Sequence, residues 1–265
     1  MDGVALALVL SSALMHAGWN LLHHRSTDRV ATIAFAYFFG GAVMLPAAFI
    51  DPPTDVIRWI ALTLVFHTTY QVLLAKAFDS GGLSITYPIA RGVSPLLVTI
   101  GGWWWLDQKP STSTIVGVLL ITVGLLSLAN LGRQLTQMTA VGFAALTGLT
   151  ITGYSLVDAR AISGTSPVAY FSVVAFVAGL IVMAIAGVDA TRIREVWKPG
   201  VVIGAAQASG YILVLYAFQR AQAAQVASLR QLSVVIGVLV AGEVARRKAF
   251  TAAALIALGS FALAA

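Results

Sequence analysis

Two arginines, Arg91 and Arg230, stand deep inside otherwise apolar runs of the chain. Arg91 lies nine residues into its run, roughly 13 Å along a helix that rises ~1.5 Å per residue, and Arg230 is about as deep in its own. A charge at the centre of a bilayer costs roughly 2.5–3.5 kcal/mol even on a mild insertion scale, so it calls for a partner, a wet cavity or a function. Tyr87, Arg91 and Ser94 follow one another at i, i+4 and i+7 and share a helical face. Pro88 and Pro95, in the same YPIARGVSP run, each remove a backbone donor. Such backbone is tolerated at membrane depth where it faces protein or a water-filled cavity. Ser233 follows Arg230 at the offset by which Ser94 follows Arg91. A pair of arginines lining a cavity would attract a carboxylate or phosphate. The alternative is two structural arginines, paired with free carbonyls or snorkelling to the interface.

Further polar faces recur at helical spacing. His16, Trp19, Asn20 and His23 form one; Thr147, Thr150, Tyr154 and Asp158 form a second. His67, Tyr70 and Gln71 mark a third, Gln207 and Tyr211 a fourth. Any single residue of this kind is as well explained by an interhelical hydrogen bond. Together they point to a central polar pocket, with Trp19, Asn20, His67, Gln71, Tyr154, Gln207 and Tyr211 beside the arginines. Asp158 and His16 are the candidate protonation sites, since imidazole changes charge near neutral pH and intramembrane aspartates carry protons in transporters. A salt bridge from Asp158 to Arg160 or Arg91 is the structural alternative.

The elements that must position these groups are membrane helices. Of 265 residues, 59% are apolar and 10% charged, against about 25% charged in soluble domains; mean hydropathy is +0.90. Ten apolar runs separate at polar breaks, at about 3–22, 30–50, 56–77, 83–105, 112–130, 138–158, 167–187, 200–219, 223–242 and 249–264. Each is near the ~20 residues that cross a bilayer. The expected fold is an all-α integral membrane protein, with the N-terminal run as an uncleaved first span. Shifts of 135 to 140 residues superpose Trp19 on Tyr154, His23 on Asp158, His67 on Gln207, Gln71 on Tyr211, Arg91 on Arg230 and Gly124 on Gly259. This order predicts two five-helix repeats, 1–133 and 134–265, the second inverted because each holds an odd number of spans. The fifth and tenth runs carry small residues and no polar stripe, which suits close packing at the periphery. The missing prolines around Arg230 predict that the fourth span is more distorted than the ninth. Arginine and lysine gather at odd-numbered connections, which places both termini outside.

HAGWNLL in the first run, YPIARGVSPLLV in the fourth, the DQKPSTSTIVGVLLITVG that follows, and the echo SLRQLSVVIGVLVAGEVARRKAFTAAALIALG resemble the drug/metabolite transporter superfamily, in its ten-helix EamA-type branch. The resemblance covers essentially the whole chain, with Asp107 and Glu243 at the family's acidic positions after spans four and nine. It implies two inverted five-helix halves, a plasma-membrane location and alternating access around a central cavity. It also implies cytoplasmic termini, opposite to the loop charges. Members move amino acids, nucleotide-type metabolites, sugars and drugs, so no substrate follows. His16 stands nearest to the essential glutamate of the four-helix multidrug members.

Enzyme motifs are mostly missing: there is no HExxH, GxSxG or P-loop. His23-x4-Asp28 has a spacing that some acyltransferases use, and otherwise reads as the end of the first span. With no cysteine, thiolate metal sites and disulfides are excluded. The reading is a monomeric secondary transporter, not an enzyme, of a small anionic or zwitterionic metabolite. It needs no cofactor and no nucleic acid, and works in the lipid bilayer. A lipid or lipid-linked flippase is the alternative, and an intramembrane enzyme the more distant one.

Overall fold

The computed structural model describes residues 1–80, 83–128, 138–241 and 246–264, with side chains described outside 83–87, 238–241 and 246. Among these residues every regular element is helical. The order is α1 (Gly3–His24), α2 (Arg29–Met44), α3 (Pro46–Ile50), α4 (Ile57–Ser80), α5 (Leu83–Gly92), α6 (Ser94–Trp105), α7 (Thr112–Leu128), α8 (Met138–Ala161), α9 (Pro167–Ile185), α10 (Ala190–Phe218), α11 (Ala223–Leu229), α12 (Leu232–Ala241) and α13 (Arg246–Ala264). Six stretches have the length and apolarity to cross a membrane: Gly3–His24, Thr54–Ser80, Met138–Gly164, Pro167–Ile185, Ala190–Phe218 and Arg247–Ala264. Shorter apolar helices lie between them. This is a multi-pass membrane protein.

The starts and stops follow from local chemistry. Asp2, Asp28, Ser166 and Asp189 cap α1, α2, α9 and α10 by accepting from the backbone N–H three residues on, which satisfies a donor left over in the first turn. Gly187 ends α9 at φ 59°, the left-handed cap that glycine adopts without a Cβ penalty. Its carbonyl and that of Ala186 accept from Arg192 Nη1.

Two sequence expectations need correction. The stretch DATRIREVWKP, read as a connection, is the first two turns and more of α10, which runs through Pro199. The Asp189 cap and a series of good helix formers outweigh the one backbone donor that proline removes. The ninth run, read as the less distorted, is interrupted just as the fourth is. The fourth breaks at Val93, between α5 and α6. The ninth breaks at Arg230 and Gln231, where i→i−3 bonds from Gln231 to Ser228 and from Ser233 to Arg230 tighten the turn without any proline.

Packing pairs helices that are far apart in sequence. α1 lies along α10 and α4 along α8; α5 and α6 pack on α8, while α11 and α12 pack on α1. α2 packs on α9 and α7 on α13. The α7–α13 contact is backbone against backbone. A Cβ on Gly117 would stand 2.7 Å from the Gly259 carbonyl oxygen, and one on Gly259 would stand 2.7 Å from that of Gly117. The small residues of the fifth and tenth runs therefore pack on each other. Gly41 and Gly179 hold α2 and α9 together in the same way, each against the other helix's backbone near Phe176 and Phe38.

Polar contacts tie helices together at both ends of the bundle. At one end Arg192 grips Asp28 with two bonds, Nε to Oδ2 at 2.7 Å and Nη2 to Oδ1 at 3.1 Å, while Arg29 pairs with Asp79. Arg192's hydrogen bond holds the Asp28 carboxyl below the usual carboxylate range, helped by the Ala31 N–H. At the other end Gln219 Nε2 donates to the Ile162 carbonyl at 2.9 Å and Gln108 Oε1 accepts from the Ala223 N–H at 2.8 Å. Arg220 and Asp2 form a looser pair there, at 3.6 Å and half exposed.

Candidate functional site

A closed pocket lies where the polar faces of α1, α2, α4, α8 and α10 meet the break between α11 and α12. Its wall includes His16 and Trp19 from α1, His67 from α4, Tyr154 from α8, Gln207 and Tyr211 from α10, and Arg230. Ser12, Tyr37 and Tyr70 complete the side-chain lining. The space is ≈ 10 Å³, room for about one water. The rings are interlocked: His67 stacks on Tyr154 at 4.5 Å and meets Tyr211 edge-on at 5.4 Å, and His16 meets Trp19 edge-on at 4.8 Å.

Arg230 reaches this wall because the helix breaks there. It is 4% exposed, and its guanidinium lies over the Tyr211 ring at 5.3 Å. Among the described residues its Nε has no hydrogen-bond partner, an unusual state for a buried cationic donor. Ser12 Oγ is likewise without one. Arg91 is buried one layer further back, with Nη2 against His16 Nε2.

Beside the pocket, Asp158 is fully buried and collects four donors from three other helices. Thr63 of α4 donates to Oδ1 at 2.6 Å, Tyr170 of α9 to Oδ1 at 2.7 Å, and Tyr211 of α10 to Oδ2. His67 Nε2 stands 3.2 Å from Oδ2, and its Nδ1 lies 3.2 Å from the Tyr37 hydroxyl. A consistent proton placement runs Tyr37 O–H to His67 Nδ1 and His67 Nε2–H to Asp158. In that placement the carboxylate is acceptor-only, as an ionised aspartate must be. The salt bridge to Arg160 or Arg91 considered from the sequence does not form: Arg160 is exposed, and Arg91 contacts His16.

The remaining sequence candidates fall into the surrounding layer. Asn20 turns back on its own helix, with Nδ2 donating to the His16 carbonyl at 2.9 Å. Ser94 is buried at the start of α6 and accepts a long bond from Thr152 at 3.5 Å. Ser233 donates to the Arg230 carbonyl at 2.8 Å and so braces the break. Gln71 is fully buried, with neither amide atom hydrogen-bonded. The Tyr87 side chain and Glu243 lie outside the described residues. His23 and Asp28 do not pair: His23 Nε2 bonds to the Arg29 carbonyl at 2.9 Å, and Asp28 caps α2 and holds Arg192. Sequence reasoning missed Thr63, Tyr37 and Tyr170. The signals were there, since Thr63 lies one turn before His67, and Tyr37 and Tyr170 are single phenols in apolar runs.

Residues 3–129, which carry α1 to α7, match the EamA-like transporter family. A relative named "Uncharacterized transporter YwfM", from Bacillus subtilis (strain 168), is 26% identical over 163 residues. That match takes in 60% of this chain and 55% of the relative, little more than half the relative's length. A solved structure described only as "Crystal structure of protein" superposes over 100% of this chain and 99% of its own, with a TM-score of 0.75 at 16% identity. It shares the fold.

Proposed function

We propose that this EamA-like protein is a secondary transporter of the plasma membrane that carries a small anionic or zwitterionic metabolite by alternating access. Residues 1–133 and 134–265 act as two inverted five-helix halves, and the interrupted pairs α5–α6 and α11–α12 each count as one span. The reciprocal packing of the halves supports this arrangement. The observation that carries the substrate class is Arg230: a buried guanidinium on the pocket wall whose Nε has no partner. A carboxylate or phosphate oxygen is the natural acceptor. Trp19, Tyr154 and Tyr211 offer ring faces to the rest of the molecule, and Gln207 an amide.

The pocket as it stands holds about one water (≈ 10 Å³), whereas metabolite sites run to about 300–1,000 Å³. The structure is therefore read as a closed state, tied at both ends, and transport requires the halves to part at one end at a time. The test is uptake of a panel of labelled carboxylate metabolites into proteoliposomes. At least one is taken up by the wild-type protein. Uptake is lost in Arg230→Ala, while size-exclusion behaviour and thermal stability show a folded protein. Undiminished uptake in a folded Arg230→Ala protein refutes the assignment.

A further inference from the structure

We propose that the pocket couples anion binding to uptake of a proton at Asp158, so that the two travel together; this rests on the anion reading above. The argument begins with a donor that has two claims on it. Tyr211 lines the pocket and also donates its single hydroxyl proton to Asp158 Oδ2. His67 is placed in the same way, on the pocket wall and 3.2 Å from the same carboxylate oxygen. Arg230, the cation that would receive the anion, lies over the Tyr211 ring at 5.3 Å. An anion seated on Arg230 thus arrives beside the donors that hold Asp158 ionised.

A phenol has one proton to give. When Tyr211 turns its hydroxyl to the incoming anion, Asp158 loses a donor, and a second negative charge enters its neighbourhood. A proton on the carboxyl offsets both changes. A proton from water then binds Asp158, and the pocket gains no net charge from a monoanion and a proton together. Release of the anion returns the hydroxyl to Asp158 and expels the proton. Thr63 and Tyr170 keep their bonds to Oδ1 throughout, because neither lines the pocket.

The other charged groups on the helices around Asp158 do not replace this exchange. Arg91, on α5, is in contact with His16 of α1. Arg160, on α8 itself, is exposed. Tyr154, one turn before Asp158, stacks on His67. His67 is the other titratable partner, and its second nitrogen is engaged by Tyr37.

Linkage fixes the signature. If anion binding brings in one proton, affinity tightens by up to about tenfold for each unit of pH decrease, and the factor by which protonation tightens the anion is the factor by which the anion tightens the proton. The test uses the purified full-length chain in weakly buffered detergent solution with a pH-indicator dye, titrated in turn with benzoate, L-glutamate and succinate. Binding is followed in parallel by tryptophan fluorescence. The wild-type protein takes up about one proton for each anion bound. Asp158→Asn binds the anion with no proton uptake and with affinity independent of pH. Tyr211→Phe, which keeps the carboxyl and the ring, binds more weakly and takes up less than one proton per anion. It decides the matter if the asparagine variant does not fold. Binding without proton uptake in the wild-type protein, or wild-type uptake in either folded variant, overturns the coupling and leaves the anion reading intact. Failure of all three carboxylates to bind at any pH overturns the anion reading, and the coupling with it.

Discussion

Tyr170→Phe separates the structural part of the Asp158 cluster from the part that faces the pocket. The hydroxyl donates to Asp158 Oδ1 at 2.7 Å, and the side chain is wholly buried between α9 and its neighbours. Phenylalanine keeps the ring and deletes one oxygen, so the packing loss is small. The remaining effect is a hydrogen bond to a charged group, about 1.5–3 kcal/mol. Asp158 keeps its bonds from Thr63, Tyr211 and His67, so the loss should fall near 2 kcal/mol, roughly a 30-fold shift in the folding equilibrium. Reversible denaturation in mixed detergent micelles measures it directly. A double-mutant cycle with Asp158→Asn apportions it, with a coupling energy of about 1–2 kcal/mol. Tyr170 does not line the pocket, so Tyr170→Phe reaches anion affinity only through the proton on Asp158. A loss under about 0.5 kcal/mol, or a coupling energy near zero, refutes the claim that this hydroxyl holds the carboxylate.

Asp28 sets an acid limit. Its folded pKa is depressed by Arg192, so the stabilisation is fully present above the unfolded aspartate value of about 3.9 and is lost as pH falls through the lower folded value. Thermal unfolding of wild type and Arg192→Ala between pH 3 and 6 should show a shallower acid decline in the variant. Gly117→Ala forces a methyl towards the Gly259 carbonyl. Overpacking of about 1–3 kcal/mol, less the roughly 0.5–1 kcal/mol that alanine returns in a helix, leaves a net loss of about 1–2 kcal/mol in the same denaturation assay. Arg230→Lys removes the Nε donor but keeps the charge, and carboxylate affinity measured by fluorescence titration should fall at least ~10-fold, because an ammonium does not reproduce the fork.

The membrane class and most helix positions were legible because both depend on local composition. A run of ~20 apolar residues has few other fates, and polar connections such as DPPTD interrupt those runs. The polar faces were legible for the same reason: helical spacing puts His16 and Trp19, or His67 and Tyr70, on one side of a helix whatever surrounds it. That its donors converge on Asp158 was not legible. Thr63, Tyr170 and Tyr211 are 95, 12 and 53 residues away from it in sequence, and only the assembled bundle brings their hydroxyls to one carboxylate. The break at Arg230 was missed because proline was taken as its cause. The depths of the two arginines also looked equal in the sequence. The rotation of each helix placed Arg230 on the pocket wall and Arg91 behind His16, and no periodicity argument supplies that angle.

The glycine contacts at α7–α13 and α2–α9 have a mechanical consequence. Where side chains interdigitate, one helix cannot shift along another without lifting its knobs out of their holes. The glycines open such holes: Leu263 and Ile121 seat against Gly117 and Gly259 at α7–α13, and the Phe38 and Phe176 rings stand 5.3 Å apart beside Gly179 and Gly41 at α2–α9, so both contacts are keyed in register. Helix pairs keyed in this way move as units, so relative motion within the bundle falls at other contacts. A bulky residue introduced at Gly117 or Gly41 should unseat the pair and cost more stability than Gly117→Ala in the same denaturation assay.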